Sequence, residues 1–358
     1  MSFSLKLAAV LAGVLGLALV LFTFERPPID TVQTGFRGVA LGGVQNPRLQ
    51  ATLVAANQVP PVVPRVPAIG PKAGVIYRNV QVLGELSVGE FARTMAAITA
   101  WVSPEQGCNY CHNPANMASD EVYTKVVSRR MLQMVARINA EWQPHVAETG
   151  VTCYTCHRGK PVPANVWSLD TGPMRAAGFA ADTGGQNLGV PSVGYSSLPY
   201  DPFTPYLRQA NDIRVIGATA LPTGNTNTIQ ETEATYGLMM HMSRSLGANC
   251  TTCHNSRNFS AWDQSAPQRT IAWHGIRMVR DINANFIVPL QPTWAANPLG
   301  PAGGPVQARL GPHGDPLMVN CTTCHQGVNK PLNGALMLRD YPELNAIRNI
   351  DAPPPIRQ

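Results

Sequence analysis

All eight cysteines of the chain fall in four copies of one pattern, Cys-x-x-Cys-His. The copies are Cys108, Cys111 and His112; Cys153, Cys156 and His157; Cys250, Cys253 and His254; and Cys321, Cys324 and His325. Two thiols at this spacing, followed at once by an imidazole, suit covalent attachment of a c-type haem. The thiols add across the two vinyl groups, and the His beside them reaches the iron from one face of the ring. A redox dithiol does not need the His each time, and zinc sites would not leave four identical His neighbours. A disulfide framework scatters its cysteines over the fold instead of pairing them tightly. The pattern implies four covalently bound c-type haems, each with one axial ligand supplied.

An iron that only carries electrons takes a second axial ligand, whereas an open position points to catalysis or gas binding. The candidates are the His outside the motifs (His145, His241, His274 and His313) and the methionines. Four spare His would suffice for four bis-His haems, so counting leaves the choice open. Placement says more. Met95 lies 13 residues before Cys108, Met131 lies 22 before Cys153, and Met239 lies 11 before Cys250. Each sits on the stretch of helical apolar period leading into its own motif. The competing reading is core packing, the ordinary role of a Met on an apolar helical stripe. The fourth unit breaks the rule. Met134-Val-Ala-Arg-Ile-Asn139 aligns with Met278-Val-Arg-Asp-Ile-Asn283 and sets Gly275 where Met131 stands. The fourth haem must draw its ligand from elsewhere.

The elements that carry these residues repeat as helix, turn and motif. Ser87-Val-Gly-Glu90 is a capping-box signature, and Val88, Phe91, Met95, Ile98 and Val102 continue it as one apolar stripe until Ser103-Pro104. A second helix is expected from about Ser119 to Asn139 and a third from about Glu231 to Leu246. A fourth is expected from near Pro267 to about Phe286, capped by Ser265. The expected fold is mostly α, with internally duplicated helix–turn–CxxCH units, much irregular coil and little strand. Its parts are an N-terminal membrane anchor helix (1–26), an extended Pro/Gly-rich arm without sustained helix (27–84), a first haem pair (85–165), a connector (166–228), a second haem pair (229–340) and a C-terminal tail (341–358).

The anchor reading rests on Leu7–Phe24, an apolar run bounded by Lys6 and by Glu25-Arg26. Eighteen helical residues span about 27 Å, close to the hydrocarbon core of a bilayer. A cleaved signal peptide is the alternative, but no small-x-small site follows Leu21-Phe22-Thr23-Phe24, so a retained anchor is expected. The formal charge of +6 does not argue for nucleic acid. The arginines are dispersed, and two propionates per haem offset the surplus. Haem is joined to such motifs outside the inner membrane, which places the working part in the periplasm.

These residues also carry a resemblance. Phe91-Ala-Arg-Thr-Met95, Trp101-Val-Ser-Pro104 and Gly150-Val-Thr-Cys-Tyr-Thr-Cys-His-Arg-Gly159 begin it, and Pro267-Gln-Arg-Thr-Ile-Ala-Trp273 and Gly275-Ile-Arg-Met-Val-Arg-Asp281 continue it. With Cys324-His-Gln-Gly327 and Asp340-Tyr-Pro-Glu-Leu344, the chain resembles the tetrahaem cytochrome subunit of purple-bacterial photosynthetic reaction centres over about 75–347. The resemblance implies three His/Met haems, with Met95, Met131 and Met239 as the methionines, and one bis-His haem. The family's distant histidine falls on His145 and would serve the fourth haem with His325. His274 is then packing or surface. Met240, Met242 and His241 crowd Met239.

The resemblance further implies an electron carrier, not an enzyme. It would be reduced by a soluble periplasmic cytochrome c or high-potential iron–sulfur protein and would re-reduce the bacteriochlorophyll pair of the core subunits. The haems would lie in the order first, second, fourth, third. A multihaem nitrite or hydroxylamine reductase would need a five-coordinate haem among proton donors, and no motif shows such a surplus. A membrane-anchored quinol-oxidising tetrahaem cytochrome would explain the anchor but not the shared text. Around the first motif, Glu85, Glu90, Glu105, Asp120 and Glu121 stand against Arg93, a local net of −4. This is the expected entrance for a basic donor.

Overall fold

The N-terminal apolar run folds as one helix, α1 (Phe3–Thr23), whose 21 residues span about 31 Å. None of its residues is buried by the rest of the chain. A helix that is apolar all round and uncovered suits lipid, not water. The computed structural model describes residues 2–24, 28–34, 41–169, 190–199, 201–215, 227–345 and 347. The remaining parts of the expected anchor, arm, connector and tail lie outside the described residues.

The arm departs from the expectation of extended coil. Strands β1 (Asp30–Thr34) and β2 (Leu41–Gln45) pair antiparallel, Asp30 opposite Gln45. Helix α2 (Pro47–Ala56) follows, with Asn46 accepting from the Arg48 amide and Pro47 in the first turn. Ten residues are too few to show a sustained period. The helix is held from outside by Asn57, which is fully buried. Its amide donates to the carbonyls of Leu53 (2.8 Å) and Gln326 (3.4 Å), and its oxygen accepts from Arg158 (2.9 Å). Further along, the Val63 amide donates to the Tyr341 hydroxyl at 3.0 Å. The arm is thus fastened to this chain's own motifs. Limited proteolysis of the detergent-solubilised chain should leave 46–66 intact. Rapid cleavage there would show that the arm needs a partner surface.

After the short α3 (Ala73–Ile76), α4 (Val88–Val102) opens as the sequence implies. Ser87 Oγ accepts from the Glu90 amide, and Glu90 accepts from the Ser87 amide at 2.9 Å. Helix α5 (Tyr123–Glu141) starts later than Ser119. Lys125 Nζ reaches back to the carbonyls of Met117, Ala118 and Ser119 at 2.8–3.0 Å, which holds that stretch as a turn. Helices α6 (Gln143–Val146) and α7 (Cys153–His157) close the first half.

The second half begins with α8 (Ile229–Leu246), opened by a Thr228–Glu231 capping box that the sequence reading passed over. Helix α9 (Gln268–Ile282) follows, then α10 (Gln291–Ala295), α11 (Cys321–His325) and α12 (Met337–Asp340). The capping role expected of Ser265 is not realised. Its hydroxyl turns back to the Ala261 carbonyl and accepts from Arg269 at 2.7 Å, and Pro267 precedes α9 without a side-chain cap.

The halves repeat in space. Helix α4 packs on α7, and α8 packs on α11. The glycine after each of these motif helices donates to the last turn of the packed helix, Gly159 to the Trp101 carbonyl (2.7 Å) and Gly327 to the Ser245 carbonyl (2.8 Å). Two further stretches belong to the core. The connector contributes core, since Trp167, Val193, Phe203, Tyr206 and Leu207 are buried. The start of the tail does too. Tyr341 meets Trp101 edge to face at 4.5 Å between centroids, and Glu343 pairs with buried Arg93 at 2.7 Å.

Candidate haem sites

The four motifs take two alternating forms. The first and third are 3₁₀ turns, Gly107–Tyr110 and Cys250–Thr252, each followed by a tight bridge, Asn113 with Asn116 and Asn255 with Asn258. The second and fourth are the one-turn helices α7 and α11, which end in left-handed backbone at Arg158 (φ 49°) and Gln326 (φ 48°). The His hydrogen bonds alternate in step. His112 Nδ1 bonds the Met117 carbonyl (3.0 Å) and His254 Nδ1 that of Phe259 (2.8 Å), five residues on in both cases. His157 Nδ1 bonds the Lys160 carbonyl (2.9 Å) and His325 Nδ1 that of Val328 (3.2 Å), three residues on.

A backbone carbonyl fixes the proton on Nδ1, so each Nε2 presents a lone pair. This is the usual arrangement behind a metal-binding imidazole. Burial reinforces it by lowering the pKa of His157, His254 and His325, the last to about 4, so these rings are neutral at pH 7.

Two asparagines missed in the sequence reading set the approach to the even motifs. Asn139, at the end of α5, accepts from the Val151 amide (2.8 Å) and donates to the Val151 carbonyl (3.0 Å). Asn283, just past α9, holds Val319 in the same way, at 2.8 and 2.9 Å. Val151 and Val319 each stand two residues before the first cysteine of their motif. The turn before Val151 needs Gly150, which has φ +59° and where a Cβ would collide with Leu338 and crowd Asn139. The signal was present, since Asn139 and Asn283 end the text that the halves share.

The candidates for the second ligand separate by what their nitrogens do. His145, on α6, bonds the Ile271 carbonyl through Nδ1 (2.9 Å) and faces His325, with ring centroids 6.0 Å apart. Two metal–imidazole bonds of about 2.0–2.1 Å plus the depth of both rings come to about 6 Å. Gly275 makes this possible. A Cβ there would lie 2.5 Å from Cε1 and 2.8 Å from Nδ1 of His145. The position that lacks the expected methionine is the one occupied by the His145 ring.

His241 is a poor ligand by the same test. Its Nδ1 bonds the Ser192 carbonyl (3.1 Å) and its Nε2 bonds Ser245 Oγ (3.2 Å). His274 meets Trp273 edge to face, and His313 is exposed. Met95, Met131 and Met239 lie on α4, α5 and α8, half-buried at the edge of the core. Of the neighbours that crowd Met239, Met240 sits near Gly194, where an added Cβ would stand 3.5 Å from its methyl, and Met242 packs on the core. Across the halves, Cys156 Sγ and Cys324 Sγ stand 2.9 Å apart, so the second and fourth motifs are neighbours.

Paired thiols, each with an imidazole oriented by a carbonyl, are the donor set for covalent haem, and the repeated scaffold defines a c-type cytochrome. The chain belongs to the photosynthetic reaction centre cytochrome C subunit family, whose model matches residues 25–345. It is 53% identical over 327 residues to the photosynthetic reaction center cytochrome c subunit of Thermochromatium tepidum, covering 91% of this chain and 78% of that protein. It is 49% identical over 345 residues to the subunit of Rubrivivax gelatinosus, covering 96% and 91%. A cytochrome c-554 of Chloroflexus aurantiacus is 29% identical over 268 residues, 63% of each chain. The chain is therefore an electron-transfer component of a reaction centre, carries covalent c-type haem, and is associated with the photosynthetic membrane.

Proposed function

We propose that this subunit holds four haems on the periplasmic side of the membrane, anchored by α1. It takes electrons from a soluble cytochrome c or high-potential iron–sulfur protein and passes them to the oxidised bacteriochlorophyll pair of the core subunits. The observation that carries this reading is the fourfold repeat of a thiol pair with an imidazole whose Nδ1 is held by a backbone carbonyl, leaving Nε2 to bind iron. The bound haems supply one-electron reduction and oxidation. The chain sets their ligands and spacing, and it acts as a carrier, with no substrate of its own to transform.

His112, His157, His254 and His325 serve as the first axial ligands, and Met95, Met131 and Met239 complete the first three irons. His145 completes the fourth, supported by its facing geometry with His325 and the space left by Gly275. His/Met ligation raises a haem potential relative to bis-His, so the fourth is a low-potential site between higher ones. The contact of Cys156 with Cys324 supports an order of first, second, fourth, third. Copurification with bacteriochlorophyll-binding subunits, together with flash-induced oxidation of haem in membranes, tests the whole reading. A purified complex without pigment, in which light oxidises no haem, would sink it.

The entrance for a basic donor needs one revision. Asp120 is not a free charge, because Arg129 bonds it at 2.7 Å and Lys125 stands 3.4 Å away. The Arg129 hydrogen bond leads in lowering its pKa to about 2. Steering then falls to Glu105 and Glu121, both exposed. Re-reduction after a flash should slow as salt rises, since exposed charges are screened beyond about 8–10 Å at physiological ionic strength. Glu105→Gln with Glu121→Gln should slow it at low salt, and Asp120→Asn should have less effect than either. A rate indifferent to salt and to these changes would assign docking to an apolar patch.

A further inference from the structure

The first half of the molecule encloses a cation that no anion among the described residues pairs with. Arg309 comes from the coil between α10 and α11 and is only 6% exposed. Its Nη2 donates to the hydroxyl of Tyr110, inside the first motif, at 2.8 Å. Gly300, at φ +100°, gives the side chain room, since a Cβ there would stand 3.0 Å from Nη2 and 3.6 Å from Nε.

The polar atoms of this pocket are incompletely used. Arg309 Nε is buried with no partner in hydrogen-bond geometry, and the buried hydroxyl of Tyr123, the first residue of α5, has none either although the guanidinium stands beside it. The two side chains are near enough for Arg309 to pull on the Tyr123 phenol, against the larger effect of burial. Among the described residues no carboxylate pairs with Arg309, whereas buried Arg93 has Glu343 and buried Arg137 has Asp281. An unpaired guanidinium away from water is strongly unfavourable, and so are idle donors around it. The pocket is built for an anion.

We infer that Arg309 Nε and the Tyr123 hydroxyl receive a propionate carboxylate of a haem in the first pair, with Tyr110 fixing the guanidinium plane. This rests on haems being attached at Cys108 and Cys111 and at Cys153 and Cys156. The guanidinium fork suits a carboxylate better than an ammonium does. A cation held at the haem edge disfavours the ferric state and raises the potential. Arg309, supplied by the second half, therefore positions and tunes a haem of the first.

The test is a spectroelectrochemical titration of the purified holoprotein and its Arg309→Gln, Arg309→Lys and Tyr123→Phe variants, with haem per chain measured for each. Arg309→Gln should move one haem of the first pair about tenfold toward the oxidised form at fixed potential, about 59 mV for a one-electron couple. The other three should keep their potentials. Arg309→Lys should recover part of the shift, and Tyr123→Phe should move the same haem less. Exchanging chloride for phosphate should leave the wild type unchanged; a potential that follows the buffer anion would assign the pocket to a solution ion and overturn the inference. No shift in Arg309→Gln, or an equal shift in all four haems, would also overturn it. If Arg309→Gln fails to accumulate, Tyr123→Phe decides, and an unmoved potential there is fatal. A wild type lacking haem at the first two motifs would instead defeat the functional reading.

Discussion

His145→Ala should turn the haem attached at Cys321 and Cys324 from low-spin to high-spin and leave the other haems spectrally unchanged. In sequence His145 is far closer to Cys153 than to Cys321, so proximity along the chain predicts the opposite. Space decides it: His145 Nδ1 is tied to α9 through the Ile271 carbonyl, and the ring faces His325. Gly275→Ala offers a gentler version of the same experiment. Its Cβ would stand 2.5–3.1 Å from three atoms of the ring, so the imidazole must shift and its bond to iron must lengthen. A mixed-spin fourth haem with reduced potential shift is the expected outcome. Resonance Raman spectra of the two variants provide the readout, and an unperturbed fourth haem in both would remove His145 from the ligand set. Met131→Leu should open the second haem in the same manner.

The second large effect is expected at Asn139 and Asn283. Alanine removes two buried hydrogen bonds at Asn139 and three at Asn283, the third being to the Leu207 carbonyl, and at either position it strands both the amide and the carbonyl of a valine. At roughly 0.5–1.5 kcal/mol per bond, plus the penalty for buried unpaired groups, the loss should be about 2–4 kcal/mol. Asp in place of Asn keeps the acceptor but loses the donor, so it should fall between. Denaturant unfolding of the holoprotein measures the cost, and mass spectrometry of haem peptides measures the local consequence. Asn283→Ala should lower haem occupancy at Cys321 and Cys324 before the other sites. Wild-type stability in both alanine variants would show that the clamps are ornamental.

Much of this architecture was legible in the residues. The motifs are local and invariant in spacing, and the helices that precede them carry a clear 3.6-residue period. Gly275 stood out because a repeating stripe makes a gap visible. What the gap admitted was not derivable from spacing, since His145 reaches it from another helix. The hairpin, α2 and the buried part of the connector were missed for a different reason. Helix α2 is too short to show a period, and Trp167, Phe203 and Tyr206 stand in stretches without one, so their burial follows from tertiary neighbours that no local window contains. The alternation of the motifs did leave traces, in Asn113 to Asn116 and Asn255 to Asn258 after the odd motifs and in Arg158-Gly159 and Gln326-Gly327 after the even ones. Lys125 and Arg129 lay just beyond the acidic window, which is how Asp120 came to be counted as unopposed.

The bond from Asn57 to the Gln326 carbonyl joins residues 269 positions apart. Asn57 is made early, and the backbone it must grip is made only once the fourth motif, ending at His325, is complete. The N-terminal segment therefore cannot be clasped until everything between has been made. Its closure over Arg158 and Gln326 can come only after all four motifs exist, so the clasp itself records that the last of them has been made.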